Sequence, residues 1–127
     1  MLCIPVVGIA METVNILTLL KENPEGSFLE FASLNGKSFG TCDLTGKNPS
    51  WEMHSDTDEF FYIIEGEVEI TLLDEGGPHH HFARAGTSFV VPRGIWHKPE
   101  APNGAKFIFF TPGQSLQSEA DDPRLDA

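Results

Sequence analysis

WEMHSDTDEFFYIIEG, residues 51–66, is the stretch whose reading decides the fold. An extended segment, Trp51 to His54, runs into an acidic loop, Ser55 to Asp58. An aromatic and β-branched strand follows, Glu59 to Ile64, ended by a turn at Glu65-Gly66. Alternate residues of an extended chain share a face. Glu52 and His54 therefore point one way and Trp51 and Met53 the other, while Glu59 shares its side with Phe61 and Ile63. A carboxylate that heads a row of apolar side chains needs a cation, a metal or a proton, because an unpaired buried charge is costly.

A second stretch, GTSFVVPRGIWH at residues 86–97, ends a strand in a tight Pro92-Arg93-Gly94 turn and delivers another histidine. His54, Glu59 and His97 then converge. Two imidazoles and one carboxylate with open positions form the facial triad of mononuclear Fe(II) sites. By parity Trp96 faces away from His97.

Outward from these stretches the chain reads as short strands. Val14 to Lys21 (VNILTLLK) carries apolar residues near a helical period, and Asn23-Pro24 stops it. Phe28 to Phe31 and Lys37 to Asp43 are strands around Asn35-Gly36, a tight-turn signal, and residues 45–49 are another turn. Glu67 to Leu73 alternates, with Val68, Ile70 and Leu72 on one side. Residues 74–78 read as a loop, His81-Phe82 as a short strand, Thr87 to Val91 as another, then Ile95 to Lys98 and Ala105 to Thr111. From Pro112 the chain is polar and acidic, with too little apolar surface to order itself, so a frayed tail or loosely held lid is expected. The reading is all-β: a single-domain antiparallel β-barrel over residues 27–112, an N-terminal extension with a short helix over 1–26, and a polar tail over 113–127.

The two stretches resemble the paired motifs of the cupin superfamily. The first motif is His-x-His, three or four residues, Glu, six residues, Gly, and it is matched at His54, Glu59 and Gly66. The second is Gly, five residues, Pro-x-Gly, two residues, His, three residues, Asn. It is matched at Gly86, Pro92, Gly94 and His97, with Ala101 in the last position. The resemblance spans Phe28 to Thr111 and implies a jelly-roll-like barrel with a metal inside, commonly a homodimer. Where the family has its first histidine this chain has Glu52. Three roles are open to it: a fourth, anionic ligand, a general base beside the metal, or a substitution that weakens the site. Glutamate for histidine shifts preference toward harder cations, Fe(II) or Mn(II), with Zn(II) and Ni(II) also compatible with imidazole.

Other features read more plainly. His79-His80-His81 cannot meet one ion, because neighbours on a strand point to opposite faces, and it is expected in a solvated loop. Asp56 and Asp58 either orient His54 or accept bonds from backbone N–H groups in the loop. Phe61, Ile63, Phe89, Phe107 and Phe109 are expected in the core, with a pocket wall as the alternative.

The formal charge is −11, from 19 acids against 8 Lys and Arg. That balance repels phosphate backbones and anionic membranes, so neither nucleic acid nor a membrane is an expected partner. No apolar run is long enough to span a bilayer. Cys3 and Cys42 make no disulfide framework, and reduced thiols suit the cytoplasm. The opening MLCIPVVGIA lacks a basic segment and is short for a signal peptide; Met11 is a second candidate start, and a native apolar opening needs cover, for instance from a partner subunit. No phosphate-binding glycine loop or serine-hydrolase elbow is present.

The function expected is a metal-dependent enzyme acting on a small organic acid or carbonyl compound, dioxygenase first and isomerase or lyase next, with Glu52 as the catalytic or tuning residue. The competing expectation is a non-catalytic ligand-binding or sensor module using the same pocket.

Overall fold

The computed structural model describes residues 11–24 and 28–125. The apolar opening and Cys3 lie outside the described residues. Asn15 accepts a hydrogen bond from the Thr18 N–H at 3.0 Å and caps α1 (Ile16–Glu22), two residues later than the expected start at Val14. Asn23 closes it through Leu20, the one buried residue of the helix.

Eight antiparallel strands follow: β1 (Leu29–Leu34), β2 (Lys37–Gly46), β3 (Trp51–Met53), β4 (Glu59–Asp74), β5 (Gly77–Arg84), β6 (Ser88–Val91), β7 (Trp96–Phe110) and β8 (Leu116–Ser118). Their lateral order is β1-β2-β7-β3-β8, and β4 joins β7, β5 and β6. The long strands β4 and β7 pair along most of their lengths and carry partners on both sides, which curls the sheet around its core. This is the expected all-β antiparallel barrel with one short helix. No helix among the described residues is long and apolar enough to cross a membrane.

Asn35 and Gly36 both adopt positive φ, 52° and 76°, the mirror-image turn that matches strand twist. The core lies between the curled faces, around Ile63, Val68, Phe61, Ile70 and Phe107, with Leu72, Phe89 and Phe109 half-buried against it. The parity expected for β4 holds: Glu59, Phe61 and Ile63 are buried while Tyr62 is exposed.

Several expected breaks are not breaks. Glu65-Gly66 does not reverse the chain. Gly66, at φ +77°, sits where the β4–β7 register shifts, and a Cβ there would strike the Gly104 carbonyl and approach Ala105 Cα to 2.9 Å. Residues 99–104, with two prolines and a glycine, lie within one strand. Between Ala105 and Glu100 β7 takes five steps where β4 takes three, so the break is absorbed as a bulge, with Gly104 at φ +85°. Pro99 is tolerated because β3 pairs with β7 only at His97, so that ladder has ended before the proline is reached.

The expected loop over 74–78 shrinks to a turn at Glu75-Gly76, and β5 runs from Gly77 to Arg84 rather than over two residues. His79, His80 and His81 are therefore on a strand, solvated as expected but not in a loop. The tail is also ordered where it was expected to fray. β8 pairs with the free edge of β3, Glu52 opposite Gln117, and Pro123 beyond it is buried. Backbone hydrogen bonding to an open edge, together with the burial of Pro123, holds it.

Candidate metal centre

Each site residue is delivered by a different piece of chain. Glu52 stands on β3 and His54 just beyond its end. Glu59 is the first residue of β4, and His97 is the second of β7, backbone-paired with Glu52. The connections that join them are tied to each other. Gly94 donates to the His54 carbonyl at 2.7 Å, and the Asp58 carboxylate accepts from the Arg93 N–H at 3.0 Å.

The four side chains meet, each offering one ligand atom, all within 4.8 Å of one another. His54 Nε2 is 3.0 Å from Glu52 Oε1 and 3.2 Å from Glu59 Oε1. His97 Nε2 is 2.9 Å from Glu59 Oε1 and 3.7 Å from Glu52 Oε1. His54, Glu59 and His97 are buried, while the Glu52 side chain keeps 29% of its surface exposed.

The outer edges of the rings fix what the inner edges can do. His97 Nδ1 lies 3.1 Å from the Ile95 carbonyl, and His54 Nδ1 lies 3.1 Å from the Gln114 carbonyl and 3.0 Å from Ser115 Oγ. A carbonyl only accepts, so each Nδ1 carries a hydrogen and donates it. In the neutral ring, Nε2 is then a lone pair aimed among carboxylates. His54 Nε2 is buried and has the carboxylate oxygens of Glu52 and Glu59 as its near neighbours. Two lone pairs and two carboxylates in one buried pocket carry a formal charge of about −2, which either two protons or one divalent cation would cancel.

The protonation equilibria follow from that crowding. Burial alone would raise both acids and lower both imidazoles. The hydrogen bonds and charges between them outweigh it, holding Glu52 down at about 2 and Glu59 below the usual carboxylate range. The same contacts hold His54 up at about 10 and His97 at about 9. The donor set fits a metal: two imidazole nitrogens with their far sides engaged by carbonyls, and two carboxylates, are the ligands of a borderline to hard divalent ion.

Sequence reasoning missed the supports. Thr111 donates a hydrogen bond to Glu59 Oε2, while the two histidines meet Oε1. Gln114 and Ser115 come from the tail; the only signal for them was a polar segment following the last strand. Neither Asp56 nor Asp58 touches His54. Both accept from backbone N–H groups as one expectation had it, but from distant ones, Asp56 from Gln114 at 2.9 Å and Asp58 from Arg93. The three consecutive histidines stand apart from the site, His79 beside Asp74 at 3.0 Å and His80 beside Glu69 at 2.9 Å. Trp96 is half-buried opposite Leu73, next to the fully buried His97.

A cavity of about 600 Å³ adjoins the site, with Glu52 and Glu59 on its wall. Phe61, Phe107 and Phe109 belong to the core and also line this space, so for them both expectations hold.

Residues 43–119 match the family described as Cupin domain. A 3-hydroxyanthranilate 3,4-dioxygenase from Shewanella woodyi is 34% identical over 58 residues, which are 45% of this chain and 31% of that protein. The matched stretch thus spans less than a third of the relative's length. Among solved structures, a cupin-2 domain containing protein from Shewanella frigidimarina superposes with a TM-score of 0.70 at 28% identity, over 78% of this chain and 93% of that one. Protein NMB1881 from Neisseria meningitidis gives 0.67 at 25% identity, over 78% and 97%.

Proposed function

The chain belongs to the cupin domain family, and from that premise we propose that it is a metal-dependent enzyme acting on a small organic molecule. His54, Glu59 and His97 would hold one divalent cation, with Glu52 completing the set. The observation that carries this reading is the pair of buried histidines whose Nδ1 atoms are committed to backbone carbonyls and whose Nε2 atoms face two carboxylates. With two glutamates in the set, Fe(II) or Mn(II) is the proposed metal.

When bound, the ion supplies Lewis acidity toward a substrate oxygen, and oxygen activation if it is iron. The chain's own groups do the rest. The Ile95 and Gln114 carbonyls hold the rings, and Thr111 holds Glu59. Glu52 lines the cavity and keeps 29% of its side chain exposed, so it is the carboxylate best placed to accept a hydrogen bond from a bound hydroxyl and orient it. Phe61 stands edge-on to His97, with ring centroids 6.4 Å apart, and gives that side of the site an apolar wall. Dioxygenase chemistry is proposed first, supported by the stretch shared with the relative of that name, and isomerase or lyase chemistry next. One barrel serves many reactions, so the chemistry of this site has to be measured. A homodimer is part of the same proposal.

The test is elemental analysis of protein purified without a metal-affinity tag, followed by oxygen-uptake assays of the loaded protein. Stoichiometric metal with oxygen consumption supports the enzyme. Metal and ligand binding without turnover assigns a non-catalytic module instead. His97→Ala should retain a folded barrel and lose metal affinity by more than about 100-fold, since removing even an outer partner of a ligand costs 10–100-fold. Unchanged metal content in that variant sinks the proposed site.

A further inference from the structure

The walls of the cavity beside the metal centre carry an imbalance that bears on what enters it. Among the described residues, which include all eight Lys and Arg, no cationic side chain lines it. Those with marked partners are engaged elsewhere: Lys98 lies over the Trp51 ring at 4.4 Å, Arg84 pairs with Glu67, Lys106 with Glu65, Arg93 with Asp58 and Arg124 with Asp122. Of the described residues, three acids line the cavity, Glu30, Glu52 and Glu59, along with neutral polar groups such as Ser50, Thr111 and Gln117.

The remaining wall is aromatic. From His97 outward the ring centroids step 6.4 Å to Phe61, 5.5 Å to Phe107, 6.3 Å to Phe109 and 5.5 Å to Phe28, which is 70% exposed. Gly40 makes room for this row, because a Cβ there would collide with the Phe109 ring. A ligand lying along the row thus meets apolar surface for its body and oxygen-bearing side chains at its inner end.

We propose that the cavity selects an uncharged organic molecule, with an apolar body against the phenylalanine row and a hydroxyl or carbonyl head at the metal centre, and rejects carboxylates and phosphates. The inference rests on the metal reading for the placement of the head. Two glutamates and a dication sum to zero, so the ion leaves no surplus positive charge for an anion. A carboxylate head would be desolvated beside Glu52 and Glu59 with no side-chain cation to meet it, and the exposed Glu30 adds a further negative charge to the wall; unpaired buried charge is expensive. The acid substrates expected from sequence are disfavoured on that ground. A cation fares little better, because the metal consumes two of the three acids.

The test uses the full chain and three matched probes, 3-phenylpropan-1-ol, 3-phenylpropanoate and 3-phenylpropylamine. Their affinities are compared by calorimetry or ligand-observed NMR, with metal content measured on the same samples. The alcohol should bind the metal-loaded protein at least about tenfold more tightly than either ion, the size of effect one uncompensated charge produces. Any smaller ratio, any other order, or binding of none of the three overturns the proposal. Gln117→Arg, which places a guanidinium on the wall next to the strand of Glu52, should raise carboxylate affinity at least about tenfold; no gain counts against the charge argument. Absence of stoichiometric metal defeats the metal reading by itself, and the probe ranking on that same protein still reads the wall. Metal bound with the carboxylate preferred defeats only this inference.

Discussion

His54 Nδ1 is held by the main-chain carbonyl of Gln114 at 3.1 Å, sixty residues away and beyond the last long strand of the barrel. The ligand is thus oriented by the tail, and the tail is in turn anchored by Asp56, which accepts from the Gln114 N–H. Gly113 permits this close approach, since a Cβ there would run into Asp56 and lie 2.7 Å from Thr57 Cγ2. Asp56→Ala and Gly113→Val, which remove or displace the anchor of the Gln114 carbonyl, should each weaken metal binding by about 10–100-fold, the usual cost of losing an outer partner of a ligand. Ser115→Ala should cost less, because the Gln114 carbonyl remains. Chelator competition on the three variants checks this, and equal affinities across them would reject a role for the tail.

Thr111 anchors Glu59 by its hydroxyl. Thr111→Val keeps the shape and removes the donor. It should lower stability by about 1.5–3 kcal/mol, the worth of a hydrogen bond to a charged group, and lower metal affinity about tenfold. Denaturant midpoints and metal titration read the two effects. Loss of stability with unaltered metal affinity would make Thr111 a packing residue only.

The metal-free protein should be most stable between about pH 4.5 and 6.5. Glu52, held at about 2 against an ordinary 4.5, stabilises the fold above 4.5, and that contribution is lost as pH falls toward 2. His54 and His97, held at about 10 and 9 against 6.5, stabilise it fully below 6.5, and that contribution is lost as pH rises through 9 to 10. Metal should replace the two protons, release about two protons on binding near neutral pH, and flatten the alkaline decline. Thermal unfolding across this range, with chelator and with metal, is the measurement; chelated protein gaining stability from 6.5 to 9 would contradict it.

Gly66→Ala should destabilise the barrel by about 2–3 kcal/mol, because the position combines positive φ with the Gly104 carbonyl at the place of a Cβ. Gly36→Ala, with positive φ but open space around it, should cost less. Equal midpoints for the two would refute the steric part of the argument.

What was legible in the chain was local. Parity placed Glu52 with His54 and Glu59 with Phe61, and the spacing of the two stretches brought His97 to them, because alternation in a strand is fixed by covalent geometry. What was not legible depended on neighbours. Pro99, Pro102 and Gly104 look like punctuation until the surrounding strands show a bulge with the missing donors beyond the end of β3. The tail looks unable to order itself when apolar content is the criterion, yet β3 offers an open edge that no residue of the tail advertises. Thr111 gives no signal at all, since a threonine ending a strand is ordinary.

The bulge in β7 adds two residues relative to β4 and relative to β2. An even insertion preserves phase, so His97 at one end and Phe107 at the other both turn inward. A single-residue deletion there would leave His97 in place and swing Phe107 and Phe109 outward, turning Thr111 away from Glu59 with them. The cavity wall and the outer supports of the metal ligands thereby share one strand end, and whether a small number is odd or even decides both.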